Sequence, residues 1–220
     1  DHSSVLELME AVPVDGKTLR VRRAVWGDLR GSGVPFEFSS ANACGLTPLG
    51  GDIRAGELTN GIRHGLGVSV PLEAVSLRPD GSCHVWPAGW SPNNPQWAEE
   101  FNREGNVYFG TLLAIPPTVD LASLGLGTNG PAFEFARALQ DYGAYVRDVF
   151  APANFDGWER AGRPHLVFCA EESPGVPSPP EFSEQLKRIV MHLKIVRNNG
   201  PESVGGGGVR RRPPAPEFIP

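Results

Sequence analysis

The chain has 220 residues and a formal charge of −5 from 25 acidic and 20 basic side chains, a size that suits one domain and needs neither metal nor disulfide to fold. That balance gives no electrostatic footprint for nucleic acid, which needs a concentrated basic face, and no segment approaches the ~20 apolar residues of a membrane span. Glycine (27) and proline (22) are abundant but interspersed with apolar segments, as in a folded domain rich in turns rather than a disordered chain.

Ser4–Val12 is a short apolar run closed by Pro13 and the turn signal Asp15-Gly16. Beyond it Thr18–Trp26 alternates, with Leu19, Val21 and Arg23 on one face and Arg20, Arg22 and Ala24 on the other, so the two runs predict a hairpin. Residues 27–51 are punctuated by Gly, Pro, Ser and Asn and read mostly as loop. Ile62–Leu72 is the clearest strand, placing Ile62, His64, Leu66, Val68 and Val70 on one face and Arg63, Gly65, Gly67 and Ser69 on the other. Cys83–Trp86 is a short element after the Asp80-Gly81 turn, and Asn106–Ile115 a second strand, stopped by Pro116-Pro117.

The period then changes. Pro131 follows Asn129-Gly130, and Ala132, Phe133, Phe135, Ala136, Leu139, Tyr142, Tyr145 and Val146 recur at helical spacing, which predicts a capped amphipathic helix. His165–Ala170 reads as a strand, Pro180–Ile189 as a second helix and His192–Arg197 as a final strand. Strands dominate, and helices fall mainly in the second half. That order predicts a β-rich α+β fold, an antiparallel β-sandwich or open sheet with one or two packed helices. Residues 1–200 form a single globular domain in this reading, and 201–220 an extended Gly/Pro/Arg-rich arm.

The arm holds four consecutive glycines, Gly205–Gly208, and the basic run Arg210-Arg211-Arg212. A segment of that composition is mobile in isolation, so it is expected to dock on a neighbouring subunit or on a groove of its own chain. Docking on a neighbour makes the chain a homo-oligomer or filament. The sequence opens at Asp1 without Met, which fits a processed chain that has lost a signal peptide, or a trimmed one. Cys44, Cys83 and Cys169 are too few for a disulfide scaffold and lack metal-type spacing; either one pair bridges or all three are buried.

Candidate chemistry is sparse. His64 lies among apolar neighbours, where an imidazole is more often a satisfied core group than a catalyst. A catalytic role would need a carboxylate, and Asp52 and Glu57, flanking a turn, are the nearest choices for a polysaccharide hydrolase or lyase. Gly65 and Gly67 leave a flat patch that a ligand or another backbone can approach. Trp86, Trp90 and Trp97 fall within a dozen residues of polar, Pro-rich sequence, suited to stacking on sugar rings or to an interface. Gly205–Gly208 lacks the Lys-Ser/Thr and helix of a phosphate loop, no Gly-x-Ser-x-Gly elbow is present, and the histidines are scattered. No cofactor or metal is therefore expected.

The segments Gly50-Gly51-Asp52-Ile53-Arg54-Ala55-Gly56-Glu57-Leu58, Ile62-Arg63-His64-Gly65-Leu66, Ala138-Leu139-Gln140-Asp141-Tyr142-Gly143-Ala144-Tyr145-Val146 and Asn198-Asn199-Gly200-Pro201 through Gly208 resemble a group of uncharacterised bacterial secreted or surface proteins. The likeness spans most of the chain from about Gly50 onward. It implies an extracellular, polysaccharide-rich setting and transfers no residue role. The leading expectation is a non-catalytic extracellular protein that assembles with itself or binds surface glycan, ahead of a polysaccharide-degrading enzyme.

Overall fold

A computed structural model describes residues 4–28, 42–91, 104–150, 166–171, 180–209 and 212–215. The expected hairpin is present. Strand β1 (Ser4–Met9) pairs antiparallel with β4 (Arg23–Asp28), and the ribbon narrows through β2 (Val12–Pro13) and β3 (Leu19–Arg20). Val14 N donates to Thr18 O at 2.9 Å across the turn, and Lys17 N donates to the Asp15 carboxylate at 2.8 Å. A short side chain that accepts from the backbone two residues on is what makes Asp a turn former.

A second, four-stranded sheet has the order β5–β7–β6–β8, from β5 (Leu66–Pro71), β6 (Leu112–Ala114), β7 (Ala144–Phe150) and β8 (Lys194–Ile195). β6 runs antiparallel to both β7 and β8, whereas β5 and β7 are parallel. The antiparallel expectation therefore fails between β5 and β7, and the isolated bridges Ile53–Ala170 and His84–Phe109 are parallel as well. The described strands form this sheet and the separate ribbon, giving an α+β architecture of mixed and antiparallel sheets.

Three helices accompany the strands among the described residues: α1 (Glu57–Asn60), α2 (Pro131–Asp141) and α3 (Pro180–Val190). Helix α2 opens with Pro at its first position after Gly130, as expected, because the fixed φ of proline suits the first turn and its missing N–H is not needed there. Its Phe135 and Leu139 join Leu66, Val68 and Val146 in the central core, and Phe135 meets Phe168 edge-on at 4.9 Å. Ile189 of α3 is fully buried in the same cluster. No described helix is long and apolar enough to cross a membrane.

Several boundaries move. The helical pattern of α2 was expected to run through Tyr145 and Val146, but the helix ends at Asp141 and both residues belong to β7. The break is Gly143, with φ +74°. A Cβ there would lie 2.7 Å from Leu113 O, so only glycine lets the chain turn this close to β6. Strand β5 starts at Leu66, leaving residues 62–65 outside the sheet. The long strand expected at Asn106–Ile115 shrinks to β6, because Gly110 (φ +83°) turns the chain beneath Val85 O. Cys83–Trp86 contributes a single bridge, His84 to Phe109, and 166–170 contributes two, Val167 to Ser69 and Ala170 to Ile53. His165 lies outside the described residues.

The C-terminal arm is held by its own chain. Residues 212–215 lie against Arg63, Glu134 and Tyr142.

Candidate functional site

The parallel pairing of β5 and β7 sets the geometry. Val68 faces Val146 in the ladder and Ser69 faces Asp148, so Arg147 is the extra residue of a β-bulge. A bulge bends its strand and re-aims a side chain. Here it keeps Arg147 on the face that already carries Tyr145, Gly65 and Gly67. The glycines are what make room. Gly67 N donates to Gly51 O at 2.8 Å, and a Cβ on Gly51 would sit 2.5 Å from Gly67 N. A Cβ on Gly67 would strike the Arg147 side chain, with Nε 2.6 Å and Cζ 2.8 Å away. The flat patch expected at Gly65 and Gly67 thus accepts both a second backbone and a guanidinium lying across it.

Arg147 is 4% exposed. Its Nη1 donates to Pro48 O at 2.8 Å and its Nη2 to the Asp52 carboxylate, partners a buried charge requires. Asp52 is therefore drawn to Arg147 and not to His64. His64 instead meets Glu57: its Nε2 stands 3.0 Å from Glu57 Oε2, and its Nδ1 2.9 Å from Gly65 O. Glu57 Oε2 also accepts from Arg54 N at 2.8 Å, which fixes the carboxylate. Both side chains are 20% exposed, so His64 is not the enclosed core residue that its apolar neighbours suggest. It lies outside the strand, on the segment between α1 and β5.

Two clefts flank Trp86. One, of about 340 Å³, is lined by Gly51, Gly65, Gly67, Tyr145 and Arg147 together with the indole. The other, of about 430 Å³, takes Trp86, Asn106, Tyr108, Arg197 and Asn199. Tyr145 Oη reaches Asn199 Oδ1 at 3.4 Å, which ties the two together. Trp90 is half-buried and lines neither, and Trp97 lies outside the described residues. Of the two described among the three singled out by sequence, Trp86 lines both of these clefts.

Burial tunes two groups beside this face. Asp148 accepts from Val149 N at 2.8 Å, yet loss of water raises its pKa above the ordinary carboxylate value. The buried Cys44 thiol is pushed up to about 12, again chiefly by desolvation. At neutral pH the Cys44 thiol is therefore almost wholly protonated and a poor nucleophile. Among the described residues no group of three or more His, Cys, Asp or Glu is placed to hold a metal ion, and Cys44 and Cys83 are free thiols.

Arg147 was missed as a site residue, and Tyr145 was set on a helix with no reach to a substrate, since the run from Ala132 reads as helix through Val146. The available signal was the alternation Ala144-Tyr145-Val146-Arg147 after Gly143, small or apolar against large and polar. Compared with known proteins, the chain matches no family model, no curated protein and no solved structure.

Proposed function

We propose that the protein is a non-catalytic glycan-binding protein of an extracellular setting, and that the two clefts joined at Trp86 hold consecutive units of a linear polysaccharide. The observation that carries this reading is Trp86 itself, a half-buried indole shared by two clefts of sugar-ring scale. An aromatic ring offers a flat apolar surface at small entropic cost. The groups around it suit hydroxyls: Tyr145 and Arg147 on one side, Asn106, Asn199 and the exposed Arg197 on the other. The extracellular setting rests on the resemblance read in the sequence of the 50–208 segments.

The test is affinity electrophoresis of the full chain through gels containing soluble β-glucans, xylans, mannans, pectates or alginates, followed by calorimetry on any that retard it. At least one glycan is expected to bind, and Trp86→Ala to weaken it about tenfold, the equivalent of ~1.4 kcal/mol of stacking. Binding unaffected by Trp86→Ala, or no retardation by any glycan, overturns the assignment.

The His64–Glu57 contact favours a second reading, a glycan-degrading enzyme in which Glu57 orients His64 for proton transfer. In this reading the same gels and solutions yield reducing ends or unsaturated products with the wild type and none with His64→Ala.

A further inference from the structure

The C-terminal arm rests in a site with the chemistry of a peptide receptor. Arg212 lays its guanidinium on Glu134, with Nη1 2.6 Å from Oε2 and Nη2 3.3 Å from Oε1. Such a fork on a carboxylate fixes direction as well as charge. Glu134 lies in the first turn of α2 and is 11% exposed with Arg212 in place, its Oε1 also standing 3.6 Å from Arg137 Nη1. Gly61 (φ +99°) forms the floor: a Cβ there would collide with the Arg212 guanidinium. The backbone that follows is read atom by atom. Tyr142 Oη donates to Arg212 O at 2.6 Å, Arg63 Nε donates to Pro213 O at 3.0 Å, and Arg63 Nη2 donates to Pro214 O at 2.9 Å. Ala215 N donates back to Arg63 O at 2.9 Å.

Every one of these contacts joins the arm to residues at least seventy positions earlier in the chain. None depends on the path by which the arm arrives. That path contains Gly205–Gly208, each at positive φ, a conformation glycine leaves as readily as it enters. An arm of this kind forms the same contacts with its own body or with a second copy, and only effective concentration separates the two outcomes.

We propose that the surface made by Gly61, Arg63, Glu134 and Tyr142 is an exchangeable clasp, which takes the Arg212-Pro213-Pro214-Ala215 segment of a second copy of this chain. Isolated chains in dilute solution close on themselves. Chains crowded on a surface, or prevented from self-closure, hand their arms to neighbours.

Two full-length variants test it. Glu134→Gln keeps an intact arm but lacks the receptor carboxylate, and Arg212→Ala keeps an intact receptor but lacks the arm's anchor. Neither should associate alone. Mixed one to one at several hundred micromolar, the arm of the first meets the receptor of the second. Sedimentation equilibrium should then show the weight-average mass rising toward twice the monomer's. Hydrogen exchange at the Ala215 amide should slow in the mixture relative to either variant alone. A mixture that sediments as two independent monomers, with Ala215 as fast as in the separate variants, overturns the proposal and leaves the site a purely intramolecular lock. Association of either variant by itself also overturns it, because the contact would lie elsewhere.

Discussion

Gly67→Ala is the sharpest probe of how the cleft is built. Gly67 is a strand residue outside the positive-φ region, so alanine meets no backbone strain, and the loss of unfolded-state entropy alone would stabilise the fold by about 0.4–1 kcal/mol. The new methyl instead lands on Arg147, 2.6 Å from Nε. That side chain cannot step aside freely, because Nη1 is bonded to Pro48 O and Nη2 to Asp52. Charge-assisted hydrogen bonds of this type contribute about 1.5–3 kcal/mol each. Asp52 is 31% exposed, so its share belongs at the low end. The net expectation is a destabilisation of about 3 kcal/mol, or a urea midpoint lowered by roughly 1.5 M at a slope near 2 kcal/mol per molar. The assay is equilibrium urea unfolding followed by tryptophan fluorescence, with Arg147→Ala as the second arm of a double-mutant cycle. Once the guanidinium is gone, Gly67→Ala should be neutral or slightly stabilising. If it costs as much in the Arg147→Ala background as in the wild type, the clash is not with Arg147 and the account of the cleft floor is wrong.

Two further outcomes follow from burial beside that face. Because the pKa of Asp148 is raised in the folded chain, folding favours its protonated form, and the wild type loses stability as pH rises from the ordinary carboxylate range through that higher value. Asp148→Asn keeps an acceptor for Val149 N and Ala43 N, so its urea midpoint should exceed the wild type's at neutral pH and converge on it in acid; a gap that widens in acid would refute the sign. With the Cys44 thiol pushed up to about 12 and Cys83 also raised by desolvation, only the exposed Cys169 should react rapidly with a disulfide reagent at pH 8, where about 1 in 10⁴ Cys44 side chains is thiolate. Two fast thiols per folded chain would contradict the burial.

What could be read from the sequence was whatever local chemistry decides. The Asp15-Gly16 hairpin, the proline start of α2 and helix α3 each rest on turn residues or side-chain period within a dozen positions, and each is present. The misreading of Tyr145 and Val146 has a different cause. Their spacing continues the helical stripe of α2, which outweighed the local stop at Gly143 (φ +74°), where the close approach to Leu113 O also requires glycine. The same misplacement hid the strand at the centre of the sheet, and with it Arg147. Its orientation depends on a bulge against β5, and a bulge exists only once two strands are paired. Glu57 and His64 fared differently. Seven residues apart, they meet because Gly56 and Gly61, both at positive φ, bracket a one-turn helix and fold the chain back on itself.

Glycine is therefore the residue type whose meaning changed most between sequence and structure. Read along the chain, Gly51, Gly61, Gly65 and Gly67 punctuate loops or thin out a strand. In three dimensions Gly51 and Gly67 let two backbones and the Arg147 guanidinium stack in the space of ordinary side chains, and Gly61 leaves the hollow that Arg212 fills. The Cβ positions of Gly67 and Gly61 are each taken by a guanidinium, of Arg147 or Arg212, whose carboxylate partner, Asp52 or Glu134, comes from elsewhere in the chain. The two arginine sites thus share one construction, a glycine floor, a guanidinium across it and a distant carboxylate to hold it. They differ in tethering, because Arg147 is fixed in a strand whereas Arg212 follows the four glycines Gly205–Gly208. That difference assigns the first to shaping a cleft and the second to an exchangeable contact.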